Sequence, residues 1–150
     1  MQFLRQIAAA FLLLFGFVQV VHATDLKVVL LDSKTGNAMH SKLICVSFPI
    51  SDPIAVNQPR MCHRTDDTGT ATFRLPDTDP QTVKVDLNSN NLEPCFKSEA
   101  FSLADALKDG LVAKNMCADE TTTTKDPGEL VLYGHQKSLK QALGQARDEW

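Results

Sequence analysis

Three histidines lie beyond residue 23 of this chain, His40, His63 and His135, and of these only His63 has carboxylates close behind it, at Asp66 and Asp67. A histidine beside an acid is the least that hydrolytic acid–base chemistry needs, because imidazole exchanges a proton near neutral pH and the carboxylate can orient it. If the protein is a small secreted hydrolase, His63 with Asp66 or Asp67 is the group that would carry the reaction. No nucleophile joins them. Ser47 and Ser102 lack the G-x-S-x-G elbow that exposes a catalytic serine, and no glycine-rich phosphate loop occurs. The histidines show neither H-x-H nor H-E-x-x-H spacing, so a three-histidine metal site would have to be assembled across separate elements. Asp66, Asp67, Asp77 and Asp79, with Thr65 and Thr68, offer hard oxygens to Ca²⁺, which takes about six to eight. Their spacing is not that of an EF-hand, and turn geometry alone explains them. The reading that follows is of no catalytic residue, no metal and no cofactor, with the exposed histidines and turn aspartates left as surface chemistry.

The remaining reactive side chains are the four cysteines, Cys45, Cys62, Cys95 and Cys117. Their meaning depends on the compartment. Met1–Gln6 carries one charge, Arg5, and is followed by the apolar run Ile7–Val18 and the small-residue site Val21-His22-Ala23. This is the layout of a cleavable secretory signal over residues 1–23, with cleavage between Ala23 and Thr24. Gln19, His22 and the V-x-A site favour cleavage over an uncleaved anchor, so the mature chain keeps no stable membrane span. Export makes two disulfides the default. Four cysteines permit three pairings. Cys45–Cys62 with Cys95–Cys117 is favoured, because the first pair would sit on consecutive strands and the second would brace an irregular segment. Each closed loop contributes about 3 kcal/mol through the unfolded state. No C-x-x-C pair occurs to suggest zinc.

Processing leaves about 127 of the 150 residues, enough for one two-layer core. It removes Arg5 and no carboxylate, so the formal charge moves from −3 to −4. An acidic domain with six scattered aromatics after the signal is no nucleic-acid binder.

The elements that must position these residues are mostly strands. Leu26–Leu31 and Lys42–Phe48 are β-branched and aliphatic without clean alternation, which predicts strands covered on both faces. Between them lies the turn Asp32–Asn37. Ser51–Pro59, with Pro53 and Pro59, is a loop. Arg60–Arg64 leads into the turn Thr65–Gly69, and Ala71, Phe73 and Leu75 then alternate with polar residues, as do Val83, Val85 and Leu87. Ser102–Gly110 has a serine cap, an acid three residues on, Leu103 and Leu107 one turn apart and a terminal glycine: a short helix over 102–109. Leu111–Met116 predicts a brief extended return, Ala118–Gly128 a polar loop, and Glu129–Tyr133 the last strand. Leu139, Ala142, Leu143, Ala146 and Trp150 share one side of a tail helix. The domain then spans 24–134 and the tail 135–150.

Six or seven short strands with regular turns predict a mainly β fold, an antiparallel Greek-key β-sandwich. LKVVLLDSKTGNAMHSKLICVSF, TDDTGTATFRLP and VKVDL resemble the prealbumin-like (transthyretin-like) sandwich of carboxypeptidase regulatory-like and Cna-B-like domains. The Asp32–Gly36 turn, the strand bearing Cys45 and the Thr65–Gly69 turn with the strand after it carry the likeness. Cys95, Phe101-Ser102, Gly110–Asn115, Cys117 and Pro127–Tyr133 are similar to an extension of such domains in exported bacterial proteins. The resemblance spans 26–133 and implies a periplasmic or secreted accessory module that binds another envelope or extracellular protein or a polymer. It transfers no active site. Transthyretin-like hydrolases use a His/Arg constellation and a C-terminal tetrapeptide, whereas this chain ends QARDEW.

Overall fold

The computed structural model describes residues 25–49, 60–89, 91–119 and 123–138. The signal segment with Ala23 and Thr24, the 51–59 loop and the apolar positions of the tail helix from Leu139 onward lie outside these residues.

Among the described residues, nine strands form two sheets, with one helix beside them. They are β1 (Asp25–Asp32), β2 (Leu43–Ser47), β3 (Arg60–Arg64), β4 (Thr70–Arg74), β5 (Thr82–Leu87), β6 (Leu92–Pro94), β7 (Phe101–Ser102), α1 (Leu103–Asp109), β8 (Leu111–Val112) and β9 (Glu129–Gln136). One sheet runs β4-β1-β9-β6, with β8 also on β9; the other runs β3-β2-β5-β7. Alternation does the work the sequence promised in β4 and β5. Ala71 and Phe73 are buried while Thr72 and Arg74 are exposed, and Val83 and Val85 are buried while Lys84 and Asp86 are exposed. Between the sheets, Leu26, Val28 and Leu30 of β1 and Leu130 and Leu132 of β9 join one core with Ile44, Val46, Phe48, Phe73 and Val85. Each such side chain, fully buried, contributes about 1.5–3 kcal/mol.

Three expectations need correction. The fold is sandwich-like and mainly β, but its first sheet is mixed: β9 runs parallel to β1, from Lys27↔Glu129 to Asp32↔Gly134, and β8 runs parallel to β9. The cause is where β9 begins. The Lys27 amide bonds Gly128 O at 2.9 Å, so β9 starts beside the start of β1 and must run the same way. Second, β1 is not covered on both faces, because Val29 and Leu31 are only half-buried. β2 is covered on both faces as expected, at Ile44, Cys45 and Val46, and β9 is enclosed on both sides from Leu130 through Gly134. Third, the last strand, expected to end at Tyr133, continues to Gln136.

The helix forms where its caps predict. The Ser102 hydroxyl accepts from the Asp105 amide at 3.3 Å, and the Gly110 amide donates to Ala106 O. Gly110 has φ +70°, and a β-carbon there would collide with the carbonyl of Asp126. That close approach seats the 125–128 turn that launches β9.

The cysteines pair Cys45–Cys62 and Cys95–Cys117. The first bond joins residues directly opposite on β2 and β3, with Cα atoms 4.0 Å apart. The second joins the segment after β6 to the segment after β8. There the Cys95 amide bonds Tyr133 O and the Met116 amide bonds Cys95 O. This braced segment covers the outer face of β9, where the Tyr133 hydroxyl and Thr123 Oγ1 lie 2.7 Å apart.

Candidate functional site

The His63 ring lies over buried Phe73, with centroids 4.9 Å apart and planes 17° from parallel. Its Nδ1 is 2.7 Å from the carbonyl of Thr72. His63 belongs to β3 and Phe73 to β4, each an edge strand of a different sheet. Side-chain stacking therefore joins the two sheets along this side.

Asp66 is occupied elsewhere. One carboxylate oxygen accepts from the Thr68 amide at 2.9 Å, the Thr68 hydroxyl at 2.6 Å and the Thr70 amide at 2.9 Å. The Thr68 hydroxyl, then the Thr70 amide, hold the carboxyl below its ordinary value. Asp67 is exposed in the same turn. Among the described residues no hydrogen bond or ion pair joins His63 to either acid. With Nδ1 donating to the Thr72 carbonyl and the ring stacked on Phe73, this geometry suits a side chain that closes a sheet edge.

The other sequence candidates are dispersed. Ser102 caps α1, Ser47 sits opposite Arg60 in β2, and Asp79, at φ +50°, shapes the turn before β5. Asp77 is exposed nearby. Among the described residues no three His, Cys, Asp or Glu side chains converge as metal ligands.

Two hollows escaped the sequence reading. The first, of about 510 Å³, lies at the carboxyl ends of β1 and β9 and is lined by Asp32, Thr35, His40, Lys42 and Gln136. Burial of Asp32 pushes its carboxyl up, but bonds from the Thr35 and Lys34 amides and the Thr35 hydroxyl, with His135 nearby, outweigh this and leave it lowered. That oxygen is already committed to the Asp32–Thr35 turn.

The second, of about 340 Å³, lies on the side of the sandwich opposite His63, between β7 and β8. Phe101 and Ser102 form one wall, Leu111, Val112 and Ala113 the other, and Lys97, Glu99, Lys114 and Met116 surround them. Met116 is 54% exposed, the one large hydrophobic side chain so exposed among the described residues. The Cys95–Cys117 bond fixes its neighbour in place. Only tertiary pairing brings these two short strands together, so no local sequence signal marks the cleft.

The two sides differ in how their edges are protected. On the His63 side, the Thr70 carbonyl and amide are satisfied by Asp66, and the Thr72 carbonyl by His63. Arg60, His63 and Arg64 put charge and polarity on β3. Such edges resist further strand pairing. On β8, among the described residues, no hydrogen bond fills the outward N–H or C=O of Val112.

No protein-family model, curated protein or solved structure matches this chain.

Proposed function

We propose that this protein is an exported, non-catalytic binding module that engages another envelope or extracellular protein through the cleft between β7 and β8. The carrying observation is the exposed Met116 beside that cleft, on a segment held by a disulfide. A large apolar side chain kept in water on a braced scaffold suits recognition. Two disulfides point to an oxidising compartment, and no helix among the described residues is long and apolar enough to cross a membrane. With the signal-like residues 1–23, these favour a periplasmic or secreted location.

The fold assignment within this proposal is a Greek-key sandwich of the prealbumin-like, carboxypeptidase regulatory-like kind. It is supported by the Asp32 and Asp66 turns, each closed by its own carboxylate, and by chain crossings between the sheets after β1 and after each of β3 to β7. The hydrolase alternative has weaker support, since His63 and Asp66 are each engaged with other partners.

A photo-activatable amino acid at position 116, and a second one at position 63, test the proposal in the native compartment. A discrete adduct from position 116 and none from position 63 is the expected outcome. Hydrolytic turnover by the purified mature protein that disappears in His63→Ala would overturn it.

A further inference from the structure

The geometry points to strand addition as the mode of binding: an extended segment of a partner protein, apolar at alternate residues and acidic at its ends, pairs with the free edge of β8. This rests on the binding-module reading and specifies its ligand. Leu111↔Leu130 and Val112↔Val131 are in parallel register, and the Ala113 amide donates to Val131 O at 2.9 Å. Backbone groups of a strand alternate between its two neighbours, so Leu111 and Ala113 face β9, whereas the N–H and C=O of Val112 face the cleft. A strand edge is a template for another strand, and its donor and acceptor are best met by an extended peptide.

The cleft supplies the rest of the recognition. Incoming side chains alternate, so those on one face meet Met116 and the apolar wall. Lys97 and Lys114 stand against the single carboxylate of Glu99 there, and none of the three is ion-paired among the described residues. This excess of positive charge complements acidic ends on the segment. On the opposite side of the sandwich the Thr70 amide and carbonyl and the Thr72 carbonyl are already bonded, which leaves less there for an incoming strand than at β8.

A labelled peptide, acetyl-Asp-Val-Thr-Val-Thr-Val-Asp-amide, tests this against the full mature protein, with fluorescence anisotropy for affinity and amide NMR for position. Saturable binding that shifts the Val112 amide, weakened at least tenfold when alternate peptide amides are N-methylated, is the supporting result. Val112→Pro removes the outward N–H while sparing the Ala113 bond to β9, and should weaken binding to a similar extent, while Val112→Ala should not. The N-methylated peptide keeps the test decisive if Val112→Pro fails to fold.

Binding that ignores N-methylation, or that shifts amides away from β8, overturns strand addition but leaves the binding module standing. So does absence of peptide binding while the position-116 adduct persists. Loss of both peptide binding and adduct overturns both readings. A concentration-dependent dimer abolished by Val112→Pro would give this edge to a second copy and overturn the partner-segment assignment.

Discussion

His63 lies flat on Phe73, at 4.9 Å between ring centroids, while its Nδ1 reaches the Thr72 carbonyl of the opposite sheet's edge strand. The side chain that the sequence offers as an acid–base catalyst is thus used to close one side of a sandwich. His63→Ala should cost about 1–2 kcal/mol, from the lost stack and hydrogen bond. Urea unfolding measures this directly. A His63→Ala protein of unchanged stability would show that the stack does not hold the β3/β4 side.

Gly69 sits at φ +75°, and a β-carbon there would stand 2.6 Å from the carbonyl of Leu30. That carbonyl already accepts from the Met39 amide, and the Leu30 amide donates to Gly69 O. The turn therefore presses on backbone that cannot give way cheaply. Gly69→Ala should destabilise by more than about 2 kcal/mol through combined strain and collision. Gly36, also at positive φ, has open space around it, and Gly36→Ala should cost less. Equal midpoints for the two variants in chemical denaturation would contradict this contrast.

Asp66 and Asp32 both have lowered carboxyl values in the folded chain. For Asp66 the Thr68 hydroxyl leads; for Asp32 burial opposes, and the turn amides prevail. A carboxyl that is more acidic folded than unfolded adds stability above its unfolded value, and that stability is lost as pH falls through the folded one. Thermal midpoints should therefore drop on acidification below the ordinary aspartate range. Asp66→Asn keeps an acceptor oxygen but does not titrate, so its midpoint should fall less steeply over the same window. Identical acid slopes for wild type and variant would refute the linkage.

How much of this could be read beforehand depends on distance along the chain. The Ser102 cap, the Gly110 stop and the alternation in β4 and β5 are local, and sequence spacing sufficed to place them. Adjacency of β2 and β3 also made Cys45 and Cys62 natural partners. The parallel course of β9 was hidden, because an apolar run such as ELVLY has the same composition whichever way it enters a sheet. The half-exposed outer face of β1 was hidden for a related reason: only where residues 113–119 and 123 lie in the fold decides that Val131 and Tyr133 are covered and Val29 and Leu31 are not. The β7/β8 cleft joins residues whose proximity follows only from both sheets being complete.

The Cys95–Cys117 bond holds the segment that covers Tyr133 and presents Met116. Cys95→Ala/Cys117→Ala should lower stability by about 2–4 kcal/mol. It should also raise hydrogen exchange selectively at the Ala113 and Met116 amides, which bond Val131 O and Cys95 O. The β2/β5 ladder should stay protected at denaturant concentrations where the cover has opened. Uniform exchange across both sheets would mean that the cover and sandwich unfold as one unit.

Ser33 is wholly buried on the outer side of the β1/β9 pair, and its hydroxyl has no hydrogen-bond partner among the described residues. Its backbone is differently placed: the amide donates to Gly134 O at 2.8 Å and the carbonyl accepts from Asn115 Nδ2 at 2.8 Å. A buried hydroxyl without a partner forfeits its hydration, worth about 1–3 kcal/mol, and gains nothing in exchange. Ser33→Ala removes that loss with little change in shape and leaves both backbone bonds intact. It should be neutral or stabilising in urea, whereas Asn115→Ala, which strips the carbonyl of its donor, should cost about 1 kcal/mol or more. A Ser33→Ala protein destabilised as much as Asn115→Ala would show that the hydroxyl is satisfied in solution and belongs to a polar network with Asn115.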